Sequence, residues 1–482
     1  MNFLLIASLT GTVLVIISLF MLLPVAVSII YAQHDMPMLI ASCIFTFLAG
    51  LGLYFTGKGH RKDEMRHRDV FGLVTICWLV VSFFGCIPYV LTGALHHLTD
   101  AYFEAMAGFT TTGATVIADV ESLPKGLLFW RSLTQWIGGM GIILFALAVL
   151  PFIGSGGMQL FKAEAPEISV DKLRPRIIDT AKVLWYIYAG LTLANVILYN
   201  VGGMDLYDAV CHAFTTMATG GFSTKNSSIA YYRSPFIEAV STVFMFLAGV
   251  NYSLYFAGLR GELSRIWRNS EFRFYISMTL AATALIALDT YRVSYPTVLE
   301  SLRYASFQSV SIMTTTGYAT ADYEAWSHFS QLLLVVLMFF GGMIGSTGGG
   351  MKQVRVLLML KQSYRELYQL IHPHAVTSLK LDGGSVSKDV LGRIWGFLFL
   401  FLFICVAATL GMTAVGADII TASSTVVSAM SNVGPALGAA GPTENYYSLP
   451  LQAKWILVLC MLAGRLEIYT LVILLVPRFW KK

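Results

Sequence analysis

Charge is scarce in this chain. Asp, Glu, Lys and Arg make up 12% of its 482 residues, against 56% hydrophobic ones. A soluble domain carries roughly 25% charged residues, so a soluble globular protein is excluded, and no stretch is polar enough to form a separate soluble domain. C-x-x-C spacing is also missing. The six cysteines (Cys43, Cys77, Cys86, Cys211, Cys405 and Cys460) lie mostly in apolar segments, as packing residues do, rather than disulfides or metal ligands. The nine histidines are scattered through loops and ends, which leaves no His/Asp/Glu cluster for a membrane-embedded enzyme. No G-x-x-x-x-G-K-[ST] register exists for cradling a nucleotide phosphate. The apolar run from Phe3 to about Ile30 has no basic leader and no small-residue cleavage site. It reads as a spanning helix and not as a signal peptide.

Apolar runs of about 20 residues, the length needed to cross a bilayer, recur along the whole chain. Threading them in and out assigns each loop a side. Most of the 32 Lys and Arg then share one side, in clusters at Lys58–Arg68, Lys162–Lys182, Arg260–Arg273, Lys352–Arg393 and the C-terminal "RFWKK". Basic loops mark the cytoplasm, so both termini are expected inside. Because these clusters punctuate spans, they do not read as nucleic-acid patches. On the opposite face stand Asp100, Glu104, Asp119, Glu121, Asp205, Asp208, Glu300, Asp322 and Glu324. They predict an acidic outer vestibule, which would raise the local cation concentration.

A polar motif interrupts the apolar chain four times: "FTTTGA" (109–114), "MATGGF" (217–222), "MTTTGY" (313–318) and "MSNVGP" (430–435). The copies align on Gly113, Gly221, Gly317 and Gly434. Each follows a short segment opened by polar residues, long enough for a re-entrant half-helix but too short to span. Each is followed by a segment with a small-residue pair: Gly138-Gly139, Ala248-Gly249, Gly341-Gly342 and Ala463-Gly464. A small pair alone is a common helix-packing contact. Its register with a polar motif in four copies instead marks internal symmetry, with a substrate path at the repeat interface. The predicted fold is an all-α polytopic membrane protein. Two leader helices within 1–60 precede four helix–pore-loop–helix repeats (69–152, 181–259, 272–361 and 389–478) around a pseudo-fourfold pore.

Irregular backbone at membrane depth survives only when buried in protein or lining a wet cavity. Four such loops on one axis can aim carbonyl oxygens inward and replace the hydration shell of an alkali cation. Glycine suits this geometry because it tolerates positive φ and close backbone approach. Half-helices ending there present partly negative C-termini, which also favours a cation. The candidate filter is therefore Thr111, Thr112, Gly113, Gly220, Gly221, Thr315, Thr316, Gly317, Asn432, Val433 and Gly434, with the threonine hydroxyls as further ligating groups.

Two features break the repeat. The third unit carries "GGMIGSTGGGMK", with six glycines between Gly341 and Gly350. Glycine costs roughly 1 kcal/mol per residue in a helix interior, so this run predicts a break and a mobile gate formed by Gly345, Ser346, Thr347, Gly348, Gly349, Gly350 and Lys352. The second feature is Arg465 in "LAGRLEIY", level with Met140, Val250 and Met343 by repeat alignment. An arginine near the bilayer centre costs roughly 2.5–3.5 kcal/mol on insertion scales and faces a cavity or the bundle interior. It reads as a positive barrier below the filter. Glu467 is too close in sequence to pair with it on one helix face.

The strings "GFTTTGAT", "WIGGMGI", "GGMQL", "RPRI", "ATGGFST", "GSTGGGMK" and "AGRLE" carry a resemblance over nearly the whole chain. It resembles the Trk/Ktr/HKT superfamily of potassium uptake proteins, in its bacterial TrkH/TrkG-type branch. The resemblance implies K+ transport in a bacterial inner membrane, with some Rb+ and Na+ passage. It further implies a homodimer with two separate pores and a cytoplasmic TrkA-type regulatory subunit that binds the nucleotide, so that this chain carries no organic cofactor. The gating loop of that family maps onto Gly341–Gly350 and its pore arginine onto Arg465. Na+ uptake and K+/H+ symport remain alternatives, although no intramembrane carboxylate stands out as a proton relay apart from Glu467. A purely structural subunit would have no use for the fourfold pattern.

Overall fold

The computed structural model describes residues 1–60, 66–141, 177–375 and 377–480. The end of the first repeat (142–152), the strings "GGMQL" and most of "RPRI", and most of the Lys162–Lys182 cluster lie outside them. Among the described residues, six helices are long and apolar enough to cross a membrane: Phe3–Ile30, Met36–Thr56, Arg68–Leu91, Ala181–Val201, Ser270–Thr290 and Lys388–Ala414. The first two are the leaders, and the other four open the four repeats. Many of their large apolar side chains stay exposed, among them Leu48, Leu193, Leu280 and Phe403, as lipid-facing helices require. All six cysteines are free.

Each repeat then supplies a half-helix: Leu98–Phe109, Leu206–Met217, Val298–Met313 and Ile419–Ser431. Local capping sets where three of them start. Asp205 accepts from the Tyr207 amide, Thr297 from Glu300 and Asp418 from Thr421, satisfying backbone donors that a helix start leaves open. The last turn of each half-helix is nearly fully buried.

The second helices differ from the sequence expectation, which placed a break only in the third repeat. Pro235–Ala248 turns through 95° into Tyr252–Leu259, and Leu451–Arg465 turns through 111° into Tyr469–Leu475. His328–Phe339 gives way to the glycine loop before Gln353–Ile371, and Lys125–Gly139 also ends at its small pair. The packing explains these stops. A Cβ on Gly138 would strike the Phe109 carbonyl oxygen, and one on Gly464 the Met430 carbonyl oxygen. In repeats one and four the small residue thus presses the second helix against the end of its own half-helix, whereas Gly249 of repeat two packs on Tyr275 and Thr314 of repeat three. The backbone then turns aside, with Asn251 capping the new start in repeat two and Glu467 and Ile468 taking positive φ in repeat four.

Candidate functional site: a ring of four glycine loops

Each half-helix closes in the same way. Thr112, Gly220, Thr316 and Val433 donate their amides back to the carbonyls of Ala107, Thr215, Ser311 and Ser428, while Thr111, Thr219, Thr315 and Asn432 bond one turn inside. This is a Schellman closure, and it forces its C′ residue into the left-handed region. Thr111 (φ 54°), Thr219 (52°), Thr315 (61°) and Asn432 (57°) occupy that position. Asn tolerates it, but for β-branched Thr the conformation costs roughly 1–2 kcal/mol each. Such strain persists where the surroundings over-determine the backbone, commonly at functional sites. Thr219 belongs to the set although its sequence motif, "ATGGF", drew attention only to Gly220 and Gly221.

The four glycines all have positive φ: Gly113 at 77°, Gly221 at 77°, Gly317 at 83° and Gly434 at 104°. Each presses on the next loop in order. A Cβ on Gly113 would strike the carbonyl of Gly220, one on Gly221 that of Thr316, one on Gly317 that of Val433, and one on Gly434 would meet that of Thr112. The contacts run one-two-three-four-one, so the loops form a closed ring. All four glycines line one cavity, together with Ala114, Ala319, Pro435 and Tyr446.

The threonine hydroxyls differ from the sequence expectation, because most are engaged within the protein. Thr110 and Thr112 share a hydrogen bond of 2.8 Å, as do Thr314 and Thr316. Asn432 Nδ2 donates to Thr112 Oγ1 at 2.9 Å and to the Met461 carbonyl at 3.0 Å, tying repeat four to repeat one. Thr315 Oγ1 accepts from the Gly349 amide at 2.7 Å. Of the named threonines, only the Thr111 hydroxyl lacks a partner among the described residues. Val433, fully buried, offers backbone alone. With those side chains engaged, the groups of the ring left to face a cation would be its carbonyl oxygens.

A second set of buried polar residues, which the sequence motifs did not reveal, accompanies the ring. At the same distance ahead of each glycine sit Glu104, His212, Gln308 and Thr425, all fully buried. Glu104 accepts from the Thr115 hydroxyl at 3.0 Å, the Val116 amide at 2.9 Å and Arg131 Nε at 2.7 Å. His212 Nε2 lies 2.9 Å from Ser223 Oγ. Gln135 bridges two repeats by donating to the Gly220 carbonyl at 2.7 Å and accepting from the Phe222 amide at 3.1 Å. A polar position recurring inside four apolar half-helices was the available signal. Arg131→Met would leave Glu104 as an unpaired buried charge, at an expected cost of about 3–5 kcal/mol. A lower thermal unfolding midpoint in detergent for Arg131→Met, restored in part by adding Glu104→Gln, checks this.

The expected acidic vestibule is only partly present. Glu104 is spent on Arg131, and buried Asp100 pairs with Lys454 at 2.7 Å. Asp208 accepts from Thr224 at 2.7 Å and Tyr232 at 2.8 Å. Asp119 stays at the surface, where the Asn226 amide holds its carboxyl below the usual carboxylate range. Glu104, Asp100 and Asp208 brace neighbouring segments because burial demands a partner for each charge.

Beneath the ring, the Gly341–Gly350 segment is a closed loop whose ends pair through Gly341 N to Met351 O at 2.9 Å and Met351 N to Phe339 O at 3.1 Å. Gly345 (φ 75°) and Gly350 (φ 63°) supply its left-handed turns. The Gly345 carbonyl accepts from the Tyr252 amide at 3.1 Å, and Ser346 Oγ donates to the Met343 carbonyl at 2.6 Å. Lys352 Nζ donates to the Gly348 carbonyl. Gly349 lies against the Ser431 carbonyl and Asn432. Thr347 Oγ1 reaches the Met217 and Ala248 carbonyls at 3.0 and 3.2 Å. Its own carbonyl accepts from Arg465 at 3.0 Å, and Arg465 also donates to the Gly138 carbonyl at 2.6 Å. Arg465 thus joins repeats one, three and four. Its level is one residue from the alignment: Gly464 packs as Gly138 does, so Arg465 stands where repeats one and two have Gly139 and Gly249. Glu467 pairs with Arg355. The sequence reading overlooked Glu271, a buried carboxylate that accepts from the Ile344 amide at 2.8 Å and the Val354 amide at 3.1 Å. It ties Ile344, within the glycine loop, to Val354, in the helix that follows the loop.

Residues 36–482 match the family model described as "TrkH: Cation transport protein". The chain is 41% identical over 475 residues to the Trk system potassium uptake protein TrkH of Halomonas elongata, covering 98% of each chain. It is 39% identical to the protein of the same name from Escherichia coli K12, covering 100% of both. The Trk system potassium uptake protein TrkG of that strain is 35% identical, with 96% of each covered. The crystal structure of the potassium transporter TrkH from Vibrio parahaemolyticus superposes with a TM-score of 0.90 at 37% identity, over 100% of both chains. With the helical repeats and the ring of loops, these likenesses establish that the chain belongs to the TrkH family of cation transport proteins, as a TrkH/TrkG-type membrane subunit and not an enzyme.

Proposed function

We propose that this chain takes up K+ across a bacterial inner membrane as the ion-translocating subunit of a Trk-type system. The observation that carries the reading is the closed ring, in which each of four positive-φ glycines abuts the backbone of the next loop. A ring of backbone oxygens lining one cavity suits a partly dehydrated alkali cation. Its members are Thr111, Thr112, Gly113, Gly220, Gly221, Thr315, Thr316, Gly317, Asn432, Val433 and Gly434. The names of the relatives, which are potassium uptake proteins, support K+ as the cargo.

In this reading the Gly345–Gly350 loop with Lys352 and Arg465 is the gate below the filter. The charge-assisted bonds of Arg465 to Thr347 and Gly138 hold it closed. A homodimer, a cytoplasmic TrkA-type subunit carrying the nucleotide, and cytoplasmic termini complete the assembly; the basic inner loops support the orientation. Isotope flux into proteoliposomes, with and without a proton gradient, tests the function. Rb+ or K+ uptake that needs no proton gradient is the expected result, and no cation flux at all would overturn the reading.

One glycine per loop leaves room for fewer stacked sites than a "TVGYG" filter has. Discrimination is therefore expected to be weak. Reversal potentials near zero under opposed K+ and Na+ would agree with that, and a strongly K+-selective shift would refute it.

A further inference from the structure

On the side reached by the basic loops, a cavity of about 960 Å³ opens between the end of the second repeat, the start of the third and the hairpin at 380–385. Five basic side chains line it (Arg265, Arg268, Arg273, Lys361 and Lys380) against two acidic ones, Glu271 and Asp382. Both carboxylates are already engaged by backbone amides. Asp382 accepts from Ser270 at 2.8 Å, at the start of a spanning helix, and Glu271 accepts from Ile344 and Val354. Arg265 is held by Glu262 at 3.2 Å, while Arg268 and Arg273 make no ion pair among the described residues. The cavity therefore carries a surplus of positive charge and unused guanidinium donors.

The helix that brings Ser264, Arg265 and Arg268 to the cavity carries exposed apolar residues beside them. The short helix Leu263–Arg268 exposes Leu263 and Trp267, one turn apart, at 61% and 66%, and Leu259 just before it is exposed at 77%. Trp beside Leu and Arg is the pattern of a bilayer interface, where the ring sits at headgroup level. Guanidinium groups bind phosphate through paired, charge-assisted hydrogen bonds. We propose that this cavity binds the phosphate of an anionic phospholipid of the cytoplasmic leaflet, with the acyl chains lying along Leu259, Leu263 and Trp267. Lipid chains can use exposed apolar residues next to the basic cavity, whereas free phosphate has no use for them. The inner wall of the cavity is Ile344 and Glu271, which touch or belong to the glycine loop. Headgroup occupancy would therefore bias the loop, a consequence that rests on the gating role proposed above.

The test uses the purified full-length protein in detergent, titrated with phosphatidylglycerol, phosphatidylcholine or inorganic phosphate, with the thermal unfolding midpoint as readout. Phosphatidylglycerol is expected to raise the midpoint and phosphatidylcholine to leave it unchanged. Arg268→Gln and Arg273→Gln should each weaken apparent affinity about fivefold, the worth of one basic residue at an anionic surface. Arg260→Gln, outside the cavity and stacked on Phe256, should retain wild-type affinity. Unchanged affinity in the Arg268→Gln/Arg273→Gln double variant would overturn the site. So would an equal shift with inorganic phosphate, which would identify a soluble anion. Rb+ flux in vesicles of phosphatidylcholine with and without phosphatidylglycerol reads the consequence separately. A lipid-dependent flux lost in the double variant supports it. Lipid binding without any flux dependence would sink the coupling and leave the site standing.

Discussion

Gly113→Ser is expected to cut Rb+ uptake by at least about tenfold and to fail to rescue growth of a K+-uptake-deficient cell at low K+. Two penalties coincide at this position. Gly113 has φ 77°, where a residue with a side chain is destabilised by roughly 1–2 kcal/mol. Its Cβ would also strike the Gly220 carbonyl oxygen, which Gln135 pins from behind at 2.7 Å. The oxygen cannot yield without moving repeat two, so the ring itself must deform; each 1.4 kcal/mol of that distortion is tenfold in an equilibrium. Gly93→Ser separates strain from collision, because Gly93 has φ 73° but nothing within 4 Å of the added atom. Gly93→Ser should keep near-normal flux at matched protein levels. Normal uptake by Gly113→Ser would remove the filter assignment.

Arg465→Ala is expected to act in the opposite direction, raising basal flux about tenfold or more in proteoliposomes that lack any regulatory subunit. Its guanidinium donates to the Thr347 and Gly138 carbonyls, and hydrogen bonds to charged groups are worth about 1.5–3 kcal/mol each. Losing them frees the glycine loop from repeat one, and losing the charge removes a repulsive step for a cation. Arg465→Lys keeps the charge without the planar fork, so its flux should fall between the two. If Arg465→Ala conducts like the parent protein at equal reconstitution, the barrier reading fails. The opposite signs expected at Gly113 and Arg465 distinguish filter from gate, since general misfolding would lower flux at both.

Local chemistry was legible in the sequence where each residue acts through its own backbone. Apolar runs of spanning length marked the leaders and the first helix of every repeat, because the bilayer imposes its thickness on each segment separately. Gly113, Gly221, Gly317 and Gly434 stood out because only glycine accepts positive φ with close approach. The small pairs were visible for the same reason, but their consequence was not. That Gly138 and Gly464 drive second helices against the carbonyls of Phe109 and Met430, and so break helices beyond the third repeat, depends on which surfaces meet. The hydroxyls of Thr112 and Thr316 looked available because their partners, Thr110 and Thr314, lie in the same short string and reveal themselves only through its fold.

The sequence by itself determined a polytopic helical membrane protein with four equivalent polar interruptions, because hydropathy, glycine freedom and capping act within a few residues of chain. Tertiary structure alone decided that the interruptions close into one ring. It also decided that Glu104 answers Arg131 rather than lining a vestibule, that Glu467 answers Arg355, and that Glu271 and Arg465 both bond to one loop. Those pairings join residues far apart in the chain. Their energy comes from satisfying charges and amides that burial has cut off from water, and burial is set by the packed whole.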